Sequence, residues 1–193
     1  MRMRKKKHGA ERIEACSALL IRDISALKEG FAGVFDAERP VHLEIGCGKG
    51  NFAVGMAQKY PEVNFLAMER VSDVCCVALE KAMAAKEERS GDNLRFLIGD
   101  AKLLAENVKP HSLDCIYLNF SDPWPKAGHA KRRLTHRSFL DIYRIYSRRT
   151  GSCGSRPTMW GCLTSAWRSL PSTARSSCGR PAISTTARKT GIT

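Results

Sequence analysis

No apolar run in the 193-residue chain approaches the length of a membrane span, so a transmembrane helix is not expected. The opening stretch, MRMRKKK, is followed by no apolar signal core. Neither secretion nor a membrane anchor is expected, and the expected compartment is the cytoplasm. No Cys-x-x-Cys pair occurs among the eight cysteines. Cys47, Cys75, Cys76 and Cys115 lie inside apolar or glycine-rich segments, which points to reduced thiols rather than bridges or zinc ligands, and no metal is expected. Acid is missing altogether from Arg148 onward, where eight Lys or Arg fall. That stretch inflates the formal charge of +13, and the first 147 residues carry a net of only +5.

What is present suits one domain with a full hydrophobic core: 43% of the residues are hydrophobic, and the length is ample. Within the first 147 residues the positive charge gathers in Arg2, Arg4, Lys5, Lys6 and Lys7 and again between Lys126 and Arg137. Two separated basic patches suit a polyanion such as RNA, whose phosphates supply affinity through counterion release. For either patch alone, the plainer alternative is a solvated face.

Taken in order, Ile13, Cys16, Leu20, Ile24 and Leu27 recur at three- and four-residue spacing, which predicts an amphipathic helix ended by Gly30 and Gly33. A strand is expected from Val41 to Ile45, then the run Gly46-Cys47-Gly48-Lys49-Gly50, then a helix from Asn51 to Lys59 stopped by Pro61. A second strand, Asn64 to Met68, ends in Glu69. The next helix has its seam at Val71, Cys75, Ala78, Ala82 and Ala85 and gives way to a turn at Ser90-Gly91-Asp92-Asn93. A third strand, Leu94 to Ile98, ends in Gly99-Asp100, and a short helix follows. The fourth strand, Asp114 to Phe120, stops at Ser121-Asp122-Pro123-Trp124-Pro125. Strands alternating with helices predict an α/β fold with a doubly wound, mostly parallel sheet.

Ligands of such sheets bind at the carboxyl ends of the strands, near the switch in strand order. Glu44, Glu69, Asp100 and Asp122 all fall at or beside strand ends. The glycine loop admits close approach of a ligand to backbone. Its spacing, Gly46-x-Gly48-x-Gly50, departs from the dinucleotide fingerprint, whose third glycine would stand at Asn51. Glu69, nineteen residues beyond Gly50, is placed to accept from ribose hydroxyls. Carboxylates around the pocket argue against a phosphate-rich cofactor and for a positively charged one such as S-adenosylmethionine. The alternative is that Glu44 and Asp100 cap helices or turns. The prolines at 123 and 125 fix φ and remove two backbone donors, so Asp122 and Trp124 are presented from a stiff turn beside the cations Lys126, Lys131, Arg132 and Arg133.

The segments Glu44–Gly50, Glu69, Gly99-Asp100, Leu118-Asn-Phe-Ser-Asp-Pro-Trp-Pro-Lys126 and Lys131-Arg132-Arg133-Leu134-Thr135 resemble the bacterial tRNA (guanine-N7-)-methyltransferases over roughly residues 1 to 144. The resemblance implies a Rossmann-like class I methyltransferase that methylates a guanosine in the tRNA variable loop. It implies cofactor contacts from Glu44, Glu69, Asp100 and Asp122 together with the loop glycines Gly46, Gly48 and Gly50. It further implies a catalytic Asp122, a substrate contact from Lys126, and RNA contacts from Gly128, His129, Ala130, Lys131, Arg132 and Arg133. Guanine N7 already carries an in-plane lone pair, so alignment rather than a strong base is the expected demand. Asp122 is expected to orient the guanine edge, and Trp124 to stack on a base or pack beneath its loop.

The expected organisation is a basic arm and amphipathic helix over residues 1–35, a truncated S-adenosylmethionine-binding domain over 36–147, and a disordered tail over 148–193. The resemblance stops at about Arg144. Met159-Trp160 fixes the bases ATGTGG, and permitted codons for Gly154 to Gly161, shifted by one base, read Phe-Lys-Thr-Asp-Asn-Val-Gly. That resembles the family's next strand and its substrate-binding motif, so the tail reads as a frameshift product. Loss of the fifth strand would expose the fourth as an apolar edge, and poor folding and little activity are expected. A non-catalytic RNA-binding remnant is the alternative. An amino-methylating nucleic-acid enzyme is disfavoured, because its motif would place two prolines directly after the acid. Monomer and homodimer both remain open.

Overall fold

The computed structural model describes residues 7–86, 91–119, 124 and 126–147. The reading of residues 148–193 as a frameshifted tail lies outside them, as do the basic residues Arg2 to Lys6 and the site residue Asp122. Four parallel strands form one sheet: β1 (Val41–Ile45), β2 (Asn64–Glu69), β3 (Leu94–Ile98) and β4 (Cys115–Tyr117), in the spatial order β3-β2-β1-β4. The helices are α1 (Gly9–Ala15), α2 (Asn51–Lys59), α3 (Ser72–Ala84), α4 (Leu104–Asn107) and α5 (Arg137–Tyr146). The predicted α/β, doubly wound architecture is what the chain adopts.

The strands are buried because both faces of the sheet are covered, the usual condition of a parallel sheet. Side chains alternate between the two sides. Leu43, Ile45, Leu66, Met68 and Ile116 enter one cluster with Leu104, Phe139 and Tyr143. Phe65, Ala67 and Phe96 enter the other with Ala53, Ala57, Cys75, Ala78 and Leu79. β1 is therefore the central strand on which both halves of the sheet are built.

Polar side chains lock the register. Asp114 Oδ2 accepts from the Val41 amide at 2.9 Å, while the Asp114 amide donates to the Val41 carbonyl at 2.8 Å. That pair pins the start of β4 to the start of β1. Buried Asn93 donates from Nδ2 to the carbonyls of Ala57, Tyr60 and Val63 at 3.1, 3.2 and 2.9 Å, tying the α2–β2 connection to β3.

The N-terminal segment departs from expectation. In place of one amphipathic helix, α1 is followed by 3-10 turns at Ser17–Leu19 and Ile24–Glu29. Between them Leu20 is extended and bridges Phe96, with the Ile21 amide donating to the Phe96 carbonyl at 2.8 Å. The apolar residues serve opposite faces of the sheet: Ile13, Cys16 and Leu20 pack on one side, Ile24 and Leu27 on the other. One helix cannot do both, so the chain bends around β3 and covers its edge. Arg12 fastens α1 to α3 by donating to both carboxylate oxygens of Glu80 at 2.6 and 2.7 Å.

β4 is also shorter than expected, Cys115–Tyr117 rather than Asp114 to Phe120. Asp114 is used for the bond to Val41, and Phe120 lies outside the described residues. Cys16, Cys47, Cys75 and Cys76 are free and buried, as expected. Cys115 is disulfide-bonded, which corrects the expectation of a reduced thiol there. It sits on the outermost strand of the described sheet. No helix among the described residues is long and apolar enough to cross a membrane.

Candidate functional site

The chain runs β1, β2, β3 to one side and returns to place β4 on the other side of β1. The carboxyl ends of β1 and β4 therefore flank the switch point at which α/β sheets bind ligands. The glycine loop leaves β1 there. Its Gly46 and Cys47 amides both donate to the Met68 carbonyl, at 2.8 and 3.0 Å, so the loop folds back over the end of β2.

Gly50 is obligatory for two reasons. Its φ is +74°, and a Cβ built on it would stand 2.8 Å from the Ala78 Cβ and 3.2 Å from the Ala78 Cα. The loop and the start of α2 thus lie directly against α3, closer than any side chain permits.

Glu69 braces this loop. Its Oε2 accepts from the Gly48 amide at 3.0 Å and its Oε1 from the Val71 amide at 2.9 Å. Each carboxylate oxygen keeps a second lone pair, so acceptor capacity remains for a ligand hydroxyl. Glu44 is different. It is only 4% exposed, its Oε1 accepts from Asn119 Nδ2 at 3.0 Å, and its Oε2 is buried with no hydrogen-bond partner. Burial pushes its carboxyl above the usual glutamate range; the Asn119 bond and the Ala53 amide oppose that shift, and the Glu69 charge adds to it. A buried carboxylate oxygen without a partner is costly.

Asp100 lies beyond β3 and is half exposed, with Oδ1 accepting from the Lys102 amide at 3.0 Å and Oδ2 4.0 Å from Arg70 Nη1. The capping alternative therefore describes Asp100, which caps the turn after β3, and it describes Glu44 in part, since the Ala53 amide in the first turn of α2 stabilises its charged form. Cys47 and Cys75 also line this region, but burial drives the Cys47 thiol far up and the Cys75 thiol to about 12. Both stay protonated, and thiolate nucleophiles are absent from the loop.

The basic segment lies beside the loop. A 3-10 turn spans Ala127–Arg132. Just past it, Leu134 Cδ1 comes within 3.9 Å of where a Gly46 side chain would begin. Lys126, Gly128, Lys131 and Arg132 are exposed, whereas His129, Ala130 and Arg133 are half-buried. Glu44, Gly46, Gly48, Gly50 and Glu69 are thus brought together, with the 126–133 segment alongside. Asp122 lies outside the described residues. Trp124 packs within its own loop: its ring faces Arg132 Cζ at 5.2 Å and meets the His129 ring edge-on at 5.5 Å.

Sequence reasoning gave Asn119 no role, although an amide at the end of the strand beside the switch point was its signal. Tyr117, two residues earlier, meets Phe52 edge-on at 4.8 Å and lies 3.1 Å from His42 Nδ1. It seats the first turn of α2 over β1 and β4.

A glycine loop and strand-end carboxylates at the switch point of a parallel sheet define an α/β protein of the doubly wound class. Comparison with known proteins narrows the class: the chain belongs to the methyltransferase family described as "Putative methyltransferase", whose model matches residues 38–152. It is 46% identical over 146 residues to the tRNA (guanine-N(7)-)-methyltransferase of Mesoplasma florum, covering 74% of this chain and 66% of that one. Similarity to the proteins of the same name from Listeria innocua (43% over 143 residues; 74% and 65% covered) and Streptococcus equi subsp. zooepidemicus (42% over 144; 75% and 66%) is comparable. The chain spans about two-thirds of the length of these curated relatives. Among solved structures, the antibiotic-resistance methyltransferase Kmr is similar at 15% identity and a TM-score of 0.45, over 73% of this chain and 82% of that one.

Proposed function

We propose that this chain is a tRNA (guanine-N7-)-methyltransferase that uses S-adenosylmethionine, and that its activity is impaired in this form. The observation that carries the reading is the buried, unpartnered Oε2 of Glu44 beneath a glycine loop that Glu69 braces. Two carboxylates beside a glycine loop fit a cofactor with an ammonium and a sulfonium. S-adenosylmethionine, when bound, supplies an electrophilic methyl carbon.

The chain's own residues do the rest. Glu44 accepts from the cofactor's positively charged amino group, Glu69 from ribose hydroxyls through its remaining lone pairs, and Asp100 holds the far end of the nucleoside. Asp122 orients the guanine edge by accepting from N1–H or the exocyclic amine and tempers the charge that develops on the purine. Lys126, Lys131 and the exposed cations near them engage tRNA phosphates. Since N7 needs no base, holding N7 in line with the methyl carbon is the main task, and such alignment removes about 7–11 kcal/mol of barrier in favourable cases.

Impairment rests on the edge position of β4 in the described sheet, and on a family match that ends at residue 152 of 193. The test is methyl transfer to a tRNA transcript, with the product digested and assayed for 7-methylguanosine. Weak but detectable transfer that Asp122→Asn abolishes is expected. tRNA binding with no cofactor binding would favour the non-catalytic remnant. Methylation at another atom would overturn the assignment.

A further inference from the structure

Trp124 has φ +40°, in the left-handed region that a bulky side chain rarely enters, and such a conformation persists only where surrounding contacts hold it. The contacts are visible. The Trp124 carbonyl accepts from Arg133 Nε at 3.2 Å and from Arg133 Nη2 at 2.9 Å. The indole ring sits against the Arg132 guanidinium at 5.2 Å and the edge of His129. Arg133 is half-buried, unlike its neighbours Lys131 and Arg132. A guanidinium that spends two donors on one carbonyl has only part of its donor fork left for a phosphate.

We infer that Arg133 is a positioning residue, which holds the proline-flanked turn at Trp124 in its strained conformation, and that RNA phosphates are left to the exposed Lys126 and Lys131. Trp124 stands two residues after Asp122, with Pro123 between them and Pro125 beyond. Asp122, two residues away along the chain, is tethered to that clamp by connectivity alone. The inference deepens the proposed function but stands on contacts within the protein, so it is testable without turnover.

Lysine separates the two roles, because it keeps the charge of arginine and cannot reproduce a forked pair of N–H donors. In a Trp160→Phe/Trp167→Phe background, Trp124 is the sole fluorophore of its kind. There, Arg133→Lys is expected to shift the Trp124 emission and raise its acrylamide quenching. The salt dependence of tRNA binding stays as in the parent, whereas Lys131→Ala lowers the log–log slope by about 0.7–0.9 without touching the fluorescence, the change for one lost phosphate contact. Where transfer is measurable, Arg133→Lys lowers kcat and leaves KM for tRNA unchanged. Unaltered Trp124 fluorescence in Arg133→Lys, or in Arg133→Ala should lysine retain one bond, would overturn the inference. So would a slope that drops in Arg133→Ala and is restored by lysine. A parent protein that binds no tRNA at any salt concentration would sink the proposed function while the fluorescence comparison still judged Arg133.

Discussion

At the scale of single residues, Glu44 sets stability and binding against each other. Its carboxyl is pushed up by burial, so between the ordinary glutamate pKa and the raised one the folded chain binds more protons than the unfolded chain. Stability therefore falls as pH rises through that window and stays lower above it. Glu44→Gln is expected to raise the melting temperature of the cofactor-free protein at neutral pH, as scanning calorimetry would show. Cofactor affinity has the opposite sign: it weakens as pH falls through the raised pKa, because the carboxylate is the form that accepts. A variant whose melting temperature dropped would contradict this balance. Gly50 tests the loop. Gly50→Ala combines left-handed strain with a contact onto the Ala78 backbone and is expected to cost about 2–4 kcal/mol. Gly48→Ala meets open space at φ +57° and is expected to cost only the strain, about 1–2 kcal/mol. Urea midpoints compare the two directly.

Elements were legible where one residue type had one physical meaning. The bounds of β1, α2 and β3 follow the alternation of apolar runs with glycine and proline, and the structure keeps them. The positions of the glycine loop after β1 and of Glu44 and Glu69 at the carboxyl ends of β1 and β2 were legible for the same reason. The N-terminal segment was not, because a spacing of three and four describes a helix face and equally a bent chain that feeds two faces of a sheet. The local work of Arg133 was hidden too, since a run of cations shows charge but not which of them turns inward. At the start of β4, the Asp114 side chain accepts from the Val41 amide. Asp114→Ala leaves that buried amide unpaired and is expected to cost about 1–3 kcal/mol. Faster hydrogen exchange in β4 than in β2 would locate the loss.

At the scale of the molecule, β4 is the outer strand of the described sheet, and Leu113, just before it, bridges Ser147. An outer strand left unpaired favours association. Sedimentation velocity is expected to show mass rising with concentration, and a strictly monomeric species across the range would contradict that expectation. Among the described residues, the glycine loop follows β1, Glu69 ends β2 and braces that loop, and Asn119, just beyond β4, donates to Glu44.

The most direct test of this site is calorimetric titration of the full chain with S-adenosylhomocysteine, beside Glu44→Gln. We expect saturable binding that weakens about ten- to a hundredfold in the variant, the loss of a charged hydrogen bond worth roughly 1.5–3 kcal/mol. Absence of binding by the folded parent chain, or equal affinity in the variant, would contradict the assignment of Glu44 and of the glycine loop above it.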